Sequence, residues 1–200
     1  MPDPMTARPF SRYLVIDFEA TCCDRGTVPR HQMEIIEIGA VMVDAADFRI
    51  EDEFQSFVRP VRHPVLTDFC TSLTSITQQD VDSAPSFAQF VSAFKPWLHG
   101  YDDFVFCSWG DYDHHQLHQD CGFHGIPYPI GATHLNVKRL FSERSATRKK
   151  LGLAEAIKKV GLDFAGTHHR GIDDARNIAR LLPFVFGDAC TTANAMGRGS

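Results

Sequence analysis

Apolar residues along this chain fall into short unbroken runs and helical stripes, in an order that predicts an α/β fold. "RYLVIDFEA", from Arg12, is an apolar run of the length a central strand makes, and it runs straight into two acids, Asp17 and Glu19. "MEIIEIGAVMVD", from Met33, predicts a second strand rich in Ile and Val. "FRIEDEFQSFVRP" alternates, with Ile50, Asp52, Phe54, Ser56 and Val58 on one face, and predicts a third strand nearer an edge. The short "DAAD" turn between the last two implies antiparallel pairing. "PVLTDFCTSLTSITQQDVDSAPS" is rich in Ser, Thr, Asp and Pro and reads as short helical turns with caps. Phe87, Phe90, Val91, Phe94 and Leu98 then recur at helical spacing until Gly100 stops the helix. "FVFCSW", from Phe104, is a fourth strand, and a helix is predicted from Asp113 onward. "HLNVKRLFSER" and "LGLAEAIKKVG" read as two further helices. The last begins near "GIDDARNIARLLPFVF", where Ile172, Ala175, Ile178, Ala179 and Leu182 form an apolar stripe. The sum is a mixed central sheet of about five strands, the first three antiparallel, flanked by helices.

Composition narrows the class without naming a chemistry. Two hundred residues, 44% hydrophobic and 11% aromatic, make one substantial domain with a sizeable core. Residues 12–186 carry the pattern, and 1–11 and 187–200 read as flexible ends. No apolar run approaches the roughly 18 to 20 residues of a membrane-spanning helix. "MPDPMTARPFSR" has Pro and Asp where a secretory signal needs an apolar stretch, so export is not expected. The six cysteines, Cys22, Cys23, Cys70, Cys107, Cys121 and Cys190, lack CxxC spacing, which argues for reduced thiols and a cytoplasmic location. A net charge of −5 argues against a protein that coats nucleic acid. It leaves open an enzyme that meets nucleic acid through bound cations.

The acids change the picture most. Side chains alternate along a strand, so Asp17 and Glu19 point the same way. Two carboxylates that close repel and raise each other's pKa, whereas hard divalent cations such as Mg²⁺ or Mn²⁺ are held by such oxygens. Alone, the pair is equally a solvated strand end, and Asp173 and Asp174 are equally helix-capping acids. "HHRGIDDARNIAR" adds a histidine five residues before an aspartate, across a Gly-containing turn into a helix. A neutral imidazole there is placed to take a proton from a water.

Taken in order, "DFEATC", "SWGDYD" and "HHRGIDDARNIAR" resemble the three motifs of the DEDDh 3′–5′ exonucleases, a ribonuclease-H-like group that includes polymerase proofreading subunits. "EIIEIGAVMVD", "FVRPVRHPVLTDFCTSLTSITQQDVDSAP" and "GIDDARNIARL" are similar to its Eri-type, histone-mRNA exonuclease-like branch. The resemblance covers residues 12–186, and a bare catalytic domain is expected. Asp17 and Glu19 match the first motif, Asp113 the second, and His169 with Asp174 the third; Asp111 and His168 are the alternatives at two of these places.

What the resemblance implies is a metal-dependent 3′–5′ exonuclease. Two Mg²⁺ or Mn²⁺ ions, roughly 3.5–4 Å apart, would be held by Asp17, Glu19, Asp113 and Asp174, with His169 as general base. The substrate would be single-stranded or 3′-overhanging nucleic acid, RNA favoured, and the product a nucleoside 5′-monophosphate. Ala20 and Thr21 would meet the terminal sugar and 3′-hydroxyl, and Met33 and Glu34 would border the terminal base. Trp109 is either a base-stacking or a core residue, and "RKK" at 148–150 either touches phosphate or is a solvated charge run. A DNA-directed proofreading or repair exonuclease, or a catalytically silent nucleic-acid-binding module, are the rival readings. All five motif positions hold competent residues.

Overall fold

A computed structural model describes residues 10–147 and 149–187. Residues 1–9, Arg148 and 188–200 lie outside the described residues, and with them most of the two expected loose ends, the first residue of "RKK", and Cys190. No helix among the described residues is long and apolar enough to cross a membrane.

The apolar run from Arg12 forms β1 (Arg12–Ala20), and its alternation divides the core. Leu14, Ile16 and Phe18 enter one apolar layer, while Tyr13 and Val15 enter the other. β2 (Ile35–Asp44) lies antiparallel to β1, and β3 (Ile50–Phe57) antiparallel to β2. β3 is an edge strand, as its alternation predicts, because the sheet order is β3-β2-β1-β4-β5. β2 starts at Ile35, two residues later than the apolar run suggests, because Met33 and Glu34 are drawn into side contacts described below.

Two short capped helices, α1 (Asp68–Thr74) and α2 (Gln78–Asp82), follow β3. α3 (Phe87–His99) lays its phenylalanine stripe on the face carrying Leu14, Ile16 and Phe18. β4 (Phe104–Ser108) runs parallel to β1 and leads into α4 (Tyr112–His124), which shares the α3 face through Leu117 and Cys121. "HLNVKRLFSER" corrects the helix expectation at its start. His134–Asn136 is a strand, β5, parallel to β4, and helix α5 occupies only Val137–Arg144. Asn136 ends the strand and caps the helix, its side chain accepting from Arg139 N–H at 2.9 Å. α6 (Leu153–Lys159) and α7 (Gly171–Phe186) cover the Tyr13/Val15 face. The stripe Ile172, Ala175, Ile178, Ala179 and Leu182 is buried there.

The start of the described chain is tied down. Phe10 packs against the α7-side core, and Ser11 N–H donates to the carbonyl of Asp103 at 3.1 Å.

Candidate active site

Asp17 and Glu19 continue the face of Tyr13 and Val15, so they emerge beneath α7 where β1 leaves the core. On β2 the residue paired with Asp17 is Gly39. A Cβ on Gly39 would sit 2.0 Å from Gly171 C and 2.0 Å from Ile172 N, so only a bare Cα lets the first turn of α7 rest on the sheet. That contact delivers Asp174, in the first turn of α7, to the acids of β1. One carboxylate oxygen from each of Asp17, Glu19 and Asp174 lies within 4.8 Å of the others.

The fourth acid arrives from the other layer. β4 is parallel to β1, so α4 opens at the same end of the sheet as the acids. Asp113, in its first turn, is buried, and its Oδ1 accepts the Phe18 N–H at 2.9 Å. Asp111 precedes the helix with a side chain 59% exposed, 3.9 Å from His134 Nδ1, so of the two candidates the structure brings Asp113 to the cavity.

Asp173 and Asp174 separate into different tasks. Asp173 accepts from Thr167 N–H at 2.8 Å and from Arg176 at 3.0 Å, which fixes the preceding turn. Asp174 faces the cavity. His168 and His169 both line it, their ring centroids 4.0 Å apart. His168 Nε2 is 3.8 Å from Asp174 Oδ2, and His169 Nδ1 is 4.0 Å from Glu19 Oε1. Burial lowers the pKa of both imidazoles, favouring the neutral, proton-accepting form. His169 holds a left-handed backbone, with φ of 64°.

The cavity, about 320 Å³, is walled by Phe18, Trp109, Tyr112, Gly152 and Leu153. Trp109 packs on Phe141 and donates to the Leu151 carbonyl at 3.2 Å, as a core residue does, and it also lines the cavity. Tyr112 was not expected there, and Arg30 stands 5.4 Å over its ring. The aromatic residue between two acids in "DYD" is the signal that could have found it.

Ala20, Thr21, Met33 and Glu34 stand outside this lining. Thr21 N–H donates to the Glu34 carbonyl at 2.8 Å, and Thr21 Oγ1 accepts the Glu34 N–H at 2.9 Å, closing the loop between β1 and β2. The Met33 carbonyl takes the side-chain amides of Gln116 at 2.9 Å and Gln119 at 2.7 Å. Glu34 is expected from the sequence, with Met33, to border the terminal base. Its carboxylate turns into the 61–63 loop, accepting the N–H groups of Val61, Arg62 and His63 at 2.9, 2.6 and 3.0 Å.

The acids of the cavity are mutually hostile without counter-charge. Burial, then Asp113 and Asp174, hold the Asp17 carboxyl well above the usual range. Burial and Asp174 push Glu19 up to about 9, and burial lifts Asp174 to about 7 and Asp113 to about 6. Asp174 Oδ1 is buried with no hydrogen-bond partner. An orphaned carboxylate oxygen among like charges fits a divalent cation, which supplies the missing partner and reverses the repulsion.

A mixed five-stranded sheet with acids from β1, α4 and α7 at one end defines a class of nucleases. The exonuclease family model (RNase_T) matches residues 14–182. The chain belongs to this exonuclease family, in its DEDDh, ribonuclease-H-like group. Within it, human ERI1 exoribonuclease 2 is 32% identical over 202 residues, covering 90% of this chain and 29% of that protein. Human 3′-5′ exoribonuclease 1 is 34% identical over 184 residues, covering 88% of this chain and 52% of that one. The chain thus spans about half or less of the length of these two curated relatives. The nuclease domain of 3′hExo, a DEDDh family member solved bound to rAMP, superposes with a TM-score of 0.82 at 32% identity, covering 91% of this chain and 94% of that domain. Exonuclease I, at 13% identity and a TM-score of 0.71, shares the fold.

Proposed function

We propose that the chain is a divalent-metal-dependent 3′–5′ exonuclease that trims single-stranded or 3′-overhanging RNA to nucleoside 5′-monophosphates. The observation that carries this reading is the meeting of Asp17, Glu19, Asp113, Asp174 and two histidines in one cavity, with Asp174 Oδ1 left without a partner. The four carboxylates would hold two divalent cations, Mg²⁺ or Mn²⁺. Bound there, the ions supply charge neutralisation and polarise the phosphoryl oxygens.

The chain's own residues do the rest. Asp17, on the central strand, sets the floor of the site, and Asp113 and Asp174 close it from the two helical layers. His169, neutral because it is half-buried, accepts the proton of the attacking water. Trp109 and Tyr112 offer aromatic surface to the terminal base, and the Ala20–Thr21 backbone and Met33 are the remaining sugar and base contacts implied by the family pattern. RNA is favoured over DNA because the relatives carry the name exoribonuclease and one was solved with rAMP. Among the described residues five free cysteines, three of them buried, agree with a reducing compartment, and we place the protein in the cytoplasm.

Matched 5′-labelled RNA and DNA oligonucleotides, incubated with and without Mg²⁺ or Mn²⁺, test the reading. The expected result is a ladder shortening from the 3′ end, metal-dependent, faster on RNA, with a 5′-monophosphate released. A 3′-monophosphate product, or decay from the 5′ end, contradicts it. His169→Ala should lower turnover about 10²-fold or more with Mn²⁺ still bound. The 3.8 Å approach of His168 to Asp174 favours a second assignment of the base. A larger loss in His168→Ala than in His169→Ala would move the role there.

A further inference from the structure

The His169 turn is held by an ion pair between Arg170 and a wholly buried acid, Glu37, that lies outside the three motifs. Glu37 lies on β2, on the same face as Gly39, and its side chain is wholly inaccessible to solvent. Arg170, immediately after His169, meets it with two parallel bonds: Nε to Oε2 at 3.0 Å and Nη2 to Oε1 at 3.0 Å. Gly171 N–H adds a third bond to Oε2 at 3.1 Å, and Gln55 Nε2 a fourth to Oε1 at 2.6 Å. The Arg170 guanidinium also stands 5.3 Å over the Phe57 ring. A bidentate Arg–carboxylate pair fixes direction as well as distance, which a lysine cannot reproduce.

What this pair fixes is a strained neighbour. His169 sits at φ 64°, a region that costs a non-glycine residue on the order of 1 kcal/mol or more and persists only when the surroundings impose it. Upstream, Asn177 grips both polar groups of Ala165, at 3.1 and 2.7 Å, and Asp173 holds the Thr167 N–H at 2.8 Å. Downstream, the side-chain anchor next to His169 is Arg170 on Glu37. We propose that Glu37 and Arg170 are positioning residues for this exonuclease, holding His169 at the height and angle at which it reaches the attacking water. Arg170 has a second duty: Glu37 carries a charge behind Asp17, Glu19 and Asp174, and the guanidinium neutralises it within the fold.

This inference rests on His169 being the proton acceptor. Removing Arg170 alone would strand a buried charge, so the informative variants keep the balance: Arg170→Lys, and the paired Glu37→Gln with Arg170→Met. Each should lower kcat about 10- to 100-fold, the scale of a small misplacement of a catalytic group, with KM for a short RNA and Mn²⁺ affinity changed less than about twofold. Thermal unfolding identifies any variant that fails to fold. The deciding readout is a cycle with His169→Ala. If the pair acts through His169, Arg170→Lys costs nothing further once His169 is gone, whereas a purely structural role lowers kcat by the same factor in both backgrounds. Full kcat in a folded Arg170→Lys variant, or additive losses in the cycle, overturns the proposal. An unimpaired His169→Ala enzyme instead overturns the assignment of the base, so the two failures are distinct.

Discussion

Two groups of buried acids lie at the β1–β2 end of this molecule, and they are furnished in opposite ways. Glu34 accepts three backbone N–H groups, and Asp120 Oδ2 takes the Ile35 N–H at 3.1 Å and the Gln116 amide at 2.9 Å. Arg62 stands between them, 3.9 Å from Glu34 and 3.5 Å from Asp120 Oδ1, which accepts no hydrogen bond but has this guanidinium as its counter-charge. Across β1, Asp17 and Glu19 accept no hydrogen bond among the described residues, Asp113 accepts one backbone N–H, and Asp174 leaves Oδ1 unpartnered. A carboxylate that the fold supplies with donors holds a loop in place. One that the fold leaves without donors, beside three others, is built to receive something positive that the polypeptide does not carry.

The largest expected effect comes from removing one charge of the donor-poor group. Asp17→Asn keeps the shape, forfeits several kcal/mol of metal-derived stabilisation, and should reduce RNA hydrolysis by at least about 10³-fold. Retention of more than a tenth of the activity would erase the contrast between the two groups. Next in size is the response to pH. Asp113, Asp174 and Glu19 have folded-state pKa values raised to about 6, 7 and 9, above the ordinary carboxylate range. The folded metal-free chain therefore keeps protons that the unfolded chain sheds near pH 4. Its stability is greatest below that range and falls as pH rises through about 6 to 9. Mn²⁺, which binds the deprotonated set, should raise Tm far more at pH 8 than at pH 5.5. A Tm gain independent of pH would count against four coupled acids.

Smaller still is the effect on the donor-rich group. Glu34→Gln should destabilise by about 1–3 kcal/mol, read from denaturant unfolding, with turnover per folded molecule nearly unchanged. A Glu34→Gln enzyme that folds normally but loses activity would place Glu34 among the substrate contacts.

The fold and the acids that meet in the cavity were largely legible in the sequence because they rest on short-range pattern. Strand alternation alone puts Asp17 and Glu19 on one face, and the four residues between His169 and Asp174 bridge a turn and one helical turn. Asp111 and Asp113 could be separated only by where α4 begins, a matter of a residue or two. β5 was missed because three residues cannot display a period, and Asn136 reads equally as a helix cap. Gly39, Glu37 and Arg170 were invisible as members of the site. Their meaning lies in what presses on them from α7, more than 130 positions away in the chain, and no local pattern states which helix will land on a strand glycine. The partners of the Glu34 carboxylate were hidden in the same way, since Val61, Arg62 and His63 follow β3 in the chain.

Mn²⁺ titration of the intact chain, followed by calorimetry, tests the account most directly. Two ions should bind the native chain, Asp17→Asn should lose that binding, and Glu34→Gln should keep it. Equal Mn²⁺ affinity in the native chain and Asp17→Asn would contradict the claim that the acids at the end of β1 form a metal site.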